Sequence, residues 1–164
     1  MNDTVPMTVD GHKALKDELA RLKAHDRPAI IAQIEEARGH GDISENAEYH
    51  AAKERQGHIE GRIALLEGKL SRARVIDTSK LSGDKVVFGA TVTVVDADTE
   101  DKATYTIVGD DETNIEKKRI GISTPVARGL IGKSVGDEAE VKTPKGTKTL
   151  EIVKVEFGGS AQGG

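Results

Sequence analysis

The chain has no cysteine and no tryptophan, and only two tyrosines and two phenylalanines among its 164 residues. Without cysteine there can be no disulfide staple and no thiolate metal site. Tyr49, Tyr105, Phe88 and Phe157 are too few for a large aromatic core. Hydrophobic residues make up 36% of the chain and charged residues 32%, which favours an elongated, well-solvated molecule over one large compact core. No apolar run approaches the roughly 20 residues of a membrane span, and the N-terminus lacks an apolar signal core. A soluble cytoplasmic protein is therefore expected. Net charge is −4, so no global basic field attracts nucleic acid.

What is present divides into two grammars. Asp10 is the expected N-cap of a first helix, in which Leu15, Leu19 and Leu22 recur at spacings of 4 and 3. Asp26-Arg27-Pro28 then predicts a kink or brief break, because proline removes a hydrogen bond and clashes with the preceding turn. The pattern resumes with Ile30, Ile34 and Ala37 and ends at Gly39 and Gly41. A second helix follows, with a seam of Tyr49, Ala52, Gln56, Ile59, Ile63, Leu66, Leu70 and Ala73. Alternating spacings of 3 and 4 give the 3.5-residue period of a coiled coil. From Glu45 to Arg74 such a helix would be about 45 Å long. Two long helices with a short link must fold back antiparallel, which puts residues 39–45 at one end.

Beyond Asp77 the pattern changes. Residues 78–84 read as a linker, and β-branched runs follow at 85–88, 90–96, 103–108, 119–122, 138–142 and 149–156. Turn-like Asp96–Asp101 and Pro144-Lys145-Gly146 suggest antiparallel hairpins. Ser123-Thr124-Pro125 supplies a cap and an N1 proline for one short helix, and Gly132 a stop. The expected organisation is α+β: a helical hairpin at 1–77 with an acidic tip at 39–45, a linker at 78–84, a β-rich domain at 85–157, and a disordered tail at 158–164.

The tip holds the chemistry. Asp42 and Glu45 lie where one helix must stop and the next must start. Asp42-Ile43-Ser44-Glu45 reads as a capping box, with Asp42 as N-cap and Glu45 reaching back. A variant makes Ser44 the cap and leaves Asp42 free. The other reading gives the two carboxylates to a divalent ion. Mg²⁺ takes oxygen ligands and commonly uses one or two protein carboxylates, with water or phosphate completing the set. Two acids alone make half a site, which a second molecule would complete. Arg38, Lys53 and Arg55 could meet a nucleic-acid backbone there, or be ordinary solvated helix charge. Tyr49 opens the seam and is most simply a packing residue, though a base could stack on it if exposed. His40 and His50 are too few and wrongly spaced for zinc.

At these residues the sequence resembles the GreA/GreB family of bacterial transcript cleavage factors. The match runs from Glu36 through Gly39-His40-Gly41-Asp42-Ile43-Ser44-Glu45-Asn46-Ala47-Glu48-Tyr49 to Lys53. It recurs at Leu70–Asp77, Val87–Val94, Tyr105–Glu112 and Pro125-Val126-Ala127-Arg128-Gly129-Leu130-Ile131-Gly132-Lys133. Together these motifs span roughly residues 5–157. The resemblance implies a coiled-coil hairpin followed by an FKBP-like antiparallel β domain with one short helix.

It also implies a factor that inserts its hairpin into the secondary channel of RNA polymerase. There it would stimulate the polymerase's own cleavage of backtracked nascent RNA. Asp42 and Glu45 match the tip acids, which would hold Mg²⁺ jointly with the polymerase, none being bound stably by the free protein. Arg38 and Lys53 match RNA-facing positions, with Arg55 and Tyr49 as further candidate RNA contacts. Some relatives carry a basic residue where this chain has Ser44. The hairpin lacks a large one-sided basic patch, which is more like GreA than GreB. Ile122, Ser123, Thr124, Pro125 and Leu130 are the candidate docking residues for the channel rim, although Ile122, Val126 and Leu130 also read as core.

The chain would act as a monomeric cofactor of the polymerase, not as an enzyme. An inhibitor of the same channel would alter the tip acids, and both are present. A prolyl isomerase needs an aromatic-lined pocket that Phe88, Tyr105 and Phe157 can hardly build. A purely structural adaptor explains neither the acid pair nor the second domain.

Overall fold

The computed structural model of the chain describes residues 4–42 and 46–157. Glu45 and Ser44, and the predicted tail at 158–164, lie outside the described residues. The chain divides into two compact units, one of residues 1–5 and 12–73, the other of residues 6–11 and 74–164.

The first unit is a helical hairpin. Its first arm comprises α1 (Val9–Arg21), a π-helical turn (Leu22–Asp26) and α2 (Arg27–Arg38). Its second arm is α3 (Ala47–Ser71), 25 residues long and hence about 37 Å. Asp10 is not the N-cap expected of it: α1 begins one residue earlier, and Thr8 Oγ1 accepts from the Gly11 amide at 3.0 Å. α3 also stops short of Arg74, because residues 73–76 leave the helix for a strand.

The expected break at Pro28 takes the form of the π turn, in which the Arg27 amide donates to the Leu22 carbonyl five residues back. Proline in a regular helix would clash with the carbonyl four residues before it, here that of Ala24. Widening the turn relieves that clash and absorbs one extra residue. It also keeps the seam aligned. Leu22 and Ile30 are both buried yet stand eight residues apart, one more than a heptad allows. Leu15, Leu22, Ile30, Ile34 and Ala37 are buried on the first arm, and Ala52, Ile63 and Leu66 on the second.

Charged forks flank this seam. Arg27 grips Glu60 with bonds of 2.8 and 2.7 Å, and Arg62 grips Glu18 with bonds of 2.7 and 2.8 Å. Lys23 reaches Glu67 at 2.9 Å. Such half-exposed pairs add little to stability, because solvent screens them. Their geometry still fixes which residues face each other, because a planar guanidinium must meet its carboxylate squarely.

The second unit is a curled five-stranded sheet. Its strands are β3 (Thr91–Asp96), β4 (Lys102–Val108), β5 (Arg119–Gly121), β6 (Glu138–Thr143) and β7 (Gly146–Glu156), in the order β5-β4-β3-β7-β6. The two expected hairpins are present, β3 with β4 and β6 with β7, and β3 joins them by pairing antiparallel with β7. β5 departs from the expectation of antiparallel pairing and runs parallel to β4. Residues 85–88 do not form a full strand; Lys85 makes a single bridge to Ser134.

Period-2 alternation buries Val92 and Val94 of β3, Ala139 and Val141 of β6, and Leu150 and Ile152 of β7. The short helix α4 (Pro125–Leu130) adds Ala127 and Leu130 to that core. Its cap is as expected, since Thr124 Oγ1 accepts from the Ala127 amide and Pro125 occupies the first turn. α4 crosses β6 so closely that a Cβ at Gly129 would lie 2.9 Å from the Glu140 carbonyl oxygen.

Residues 6–11 belong to this unit. They include most of β1 (Val5–Thr8), which forms a two-stranded sheet with β2 (Ala73–Ile76). The Glu112 carboxylate holds them: it accepts from the Thr8 amide at 3.0 Å and the Gly109 amide at 3.1 Å, and contacts the Thr8 hydroxyl. A Cβ at Gly11 would lie 2.2 Å from this carboxylate's carbon, so a larger residue there would displace the carboxylate from its bonds.

Candidate functional site

The hairpin tip is built by two helix ends and the side chains that tie them. α2 closes with Gly39 and His40 donating to the carbonyls of Glu36 and Ala37. Gly41 follows at φ 111°, a conformation that glycine adopts at little steric cost. Asp42 comes next and is exposed.

The cap of α3 is Asn46, not Asp42. Its Oδ1 accepts from the Tyr49 amide at 3.0 Å, and its Nδ2 donates to the Ala37 carbonyl at 2.5 Å. One amide side chain thus satisfies the start of α3 and the end of α2 together. Asn46 was the residue that sequence reasoning missed. Its signal was present, an asparagine directly before a helical run, but Asp42 and Ser44 offered the same chemistry within four residues. A second tie lies beside it, where His40 Nδ1 stands 3.3 Å from the Glu48 carboxylate.

The remaining predicted residues separate by face. Arg38 is exposed in the last turn of α2. Lys53 is exposed and donates to Gln56 Oε1 at 3.0 Å, while Arg55 crosses the hairpin to Gln33 Oε1 at 2.8 Å. Two residues apart on a helix, Lys53 and Arg55 point about 200° from one another, so they do not form one stripe. Tyr49 is half-buried against the Ile30, Ile34 and Ala52 cluster, and His50 meets its ring edge-on with centroids 5.5 Å apart. Packing is its evident part.

Can the tip hold a cation? Asp42 offers hard carboxylate oxygens of the kind Mg²⁺ takes. Among the described residues no three His, Cys, Asp or Glu side chains converge as a metal cluster. The donor chemistry fits such an ion, and the ligand number requires further oxygens from elsewhere.

The candidate docking segment splits likewise. Ser123 and Pro125 are exposed, with Arg128 beside them, and they line a groove of about 400 Å³ whose far side is Glu140 and Lys142. Ile122 and Thr124 are half-buried, and Ile122 packs against the core. Leu130 is wholly buried, which corrects its assignment as a docking contact: it has no surface to offer. Its side chain fills the space between α4 and the sheet.

Residues 5–75 match the family model described as Transcription elongation factor, N-terminal, and residues 81–157 match Transcription elongation factor, GreA/GreB, C-term. The chain belongs to the GreA/GreB family. Similar proteins bear the name Transcription elongation factor GreA. That of Magnetococcus marinus is 60% identical over 157 residues, covering 96% of this chain and 100% of the relative. That of Maricaulis maris is 62% identical over 154 residues, covering 94% and 98%. Among solved structures, GreA factor homolog 1 of Thermus thermophilus is similar at 26% identity and a TM-score of 0.43, covering 93% of this chain and 99% of that one. Among the described residues no helix is long and apolar enough to cross a membrane.

Proposed function

We propose that this chain binds bacterial RNA polymerase, inserts its hairpin into the secondary channel, and stimulates the polymerase's intrinsic cleavage of backtracked nascent RNA. The observation that carries this reading is an exposed carboxylate, Asp42, on a tip braced by Asn46, in a chain of the GreA/GreB family. Asn46 and the His40–Glu48 contact keep the ends of the two helices together, so the tip enters as one body. Asp42, with Glu45, presents oxygen ligands for a Mg²⁺ ion shared with the polymerase. When bound, such an ion supplies Lewis-acid stabilisation to an attacking water and a leaving oxygen. Arg38 and Lys53 face RNA phosphates, and Ser123 and Pro125 dock the second unit at the channel rim.

The chain is a cytoplasmic, monomeric cofactor of the polymerase's activity and not itself a nuclease. Prolyl isomerase activity is not expected. One cavity of the sheet domain, about 190 Å³, has Tyr105 as the one aromatic in its lining.

The test is RNA cleavage by a backtracked polymerase complex. Asp42→Ala at saturating concentration lowers the stimulated rate by about a hundredfold or more, while its affinity for polymerase stays within twofold of the unmodified chain. Full stimulation by Asp42→Ala would remove the assignment of the tip acid.

A further inference from the structure

Ser123, exposed at the rim of the groove beside α4, is held from outside its own segment. Its amide donates to Asp110 Oδ1 at 2.9 Å and its hydroxyl to Asp110 Oδ2 at 2.7 Å. Asp110 opens the short turn between β4 and β5, thirteen residues earlier. That turn is itself fixed: the Glu112 amide donates to the Gly109 carbonyl at 2.8 Å, and the Thr113 hydroxyl to the Asp110 carbonyl at 2.9 Å. The approach is tight. A Cβ at Gly121 would sit 2.6 Å from Asp110 Oδ1 and 3.0 Å from its Cα.

On either side, the backbone around Ser123 is anchored to the core. The Ile122 amide donates to the Val108 carbonyl at 2.9 Å, and the Thr124 amide and hydroxyl to the Gly121 carbonyl at 3.0 and 2.8 Å. Asp110 completes the set by fixing the one residue between them whose side chain is exposed.

We propose that Asp110 is a positioning residue for polymerase docking: it presents Ser123, and through it the edge at Pro125, in the conformation the partner binds. This rests on the docking role given to that segment above. Both Asp110 and Ser123 are exposed, so their bonds add little to the domain's stability. They do remove freedom that Ser123 would otherwise lose on binding, and pre-ordering of this kind appears as affinity. The Ser123 hydroxyl donates to Asp110, so its oxygen lone pairs are what it turns outward. The partner group it meets is then a hydrogen-bond donor.

The experiment is equilibrium binding of the full chain to RNA polymerase, with the cleavage rate at saturation measured alongside. Asp110→Ala raises Kd about fivefold, the equivalent of one hydrogen bond's contribution, and leaves the saturating cleavage rate within twofold. Asp110→Asn retains an acceptor for the Ser123 amide and falls between the two. Amide hydrogen exchange gives a readout independent of the partner: Ser123 exchanges at least about tenfold faster in Asp110→Ala, while amides of β3 are unchanged. An unaltered Kd in both variants would overturn the proposal, as would a loss of saturating rate with Kd unchanged. If the unmodified chain binds polymerase without stimulating cleavage, the functional reading fails and the Kd comparison still decides the role of Asp110.

Discussion

Among single residues, Asn46 carries the most structure for its size. It caps α3 through one atom of its amide and holds the end of α2 through the other. Asn46→Ala removes both, so it should cost about 1 kcal/mol or somewhat more, seen as a fall of a few degrees in Tm. Asn46→Asp keeps the acceptor for the Tyr49 amide but cannot donate to the Ala37 carbonyl. It should therefore recover only part of that stability, since the cap survives and the tie does not. An Asn46→Ala chain as stable as the original would show that the tip is held by other means. The choice of cap was not legible in the sequence. Asp42, Ser44 and Asn46 all suit the position, and what selects among them is the Ala37 carbonyl, which the fold alone brings within reach.

Secondary-structure elements were legible where the signal is local. Thr124-Pro125 marked the start of α4, and the 3.5-residue seam marked both arms of the hairpin. They were illegible where a distant segment decides. β1 is a strand because residues 73–76 lie beside it, and β5 pairs parallel with β4 after a turn in which Lys118 takes φ 61°. The π turn lies between these cases. Its two causes, Pro28 and the eight-residue step from Leu22 to Ile30, are both in the sequence and are meaningful only together. Deleting Ala24 in a Pro28→Ala background should restore a seven-residue step within a regular helix and change stability by less than about 1 kcal/mol. The same deletion with Pro28 retained forces the ring against a carbonyl and should cost about 3 kcal/mol. Urea unfolding of the two deletion variants tests this, and equal midpoints would sink it.

Across the described residues, hydrogen-bonded carboxylates of both units are held below their usual range. Hydrogen bonds from Arg62 and Arg27 hold Glu18 and Glu60 below the usual carboxylate range. Ser79 does the same to Asp77, and the amides of Asp98 and Thr99 to Asp96. A carboxylate whose folded pKa is depressed binds fewer protons in the native state. Its contribution is complete above the unfolded values, about 4, and is lost as pH falls through the folded ones. Tm should therefore be nearly flat from about pH 7 to 5 and decline below. Lys13 behaves oppositely: its bond to Asp17 raises its pKa, so that contribution is present below about pH 10 and lost as pH rises further. Arg62→Ala should lower Tm at neutral pH and make the acid decline shallower, because Glu18 then loses its main partner. A Tm that rises on acidification below pH 4 would contradict the sign.

The grip of Glu112 on residues 6–11 has a consequence in time. Thr8 and Glu112 are 104 positions apart, and the helical hairpin lies wholly between them. A ribosome adding about 5–20 residues per second leaves an interval of roughly 5–20 s in which the N-terminal segment has been made and its anchor has not. The hairpin's contacts are all available in that interval, so it can zip up during synthesis before residues 6–11 are held. The chain is thus finished at its beginning, and the last native contact of the N-terminus is made only after most of the protein exists.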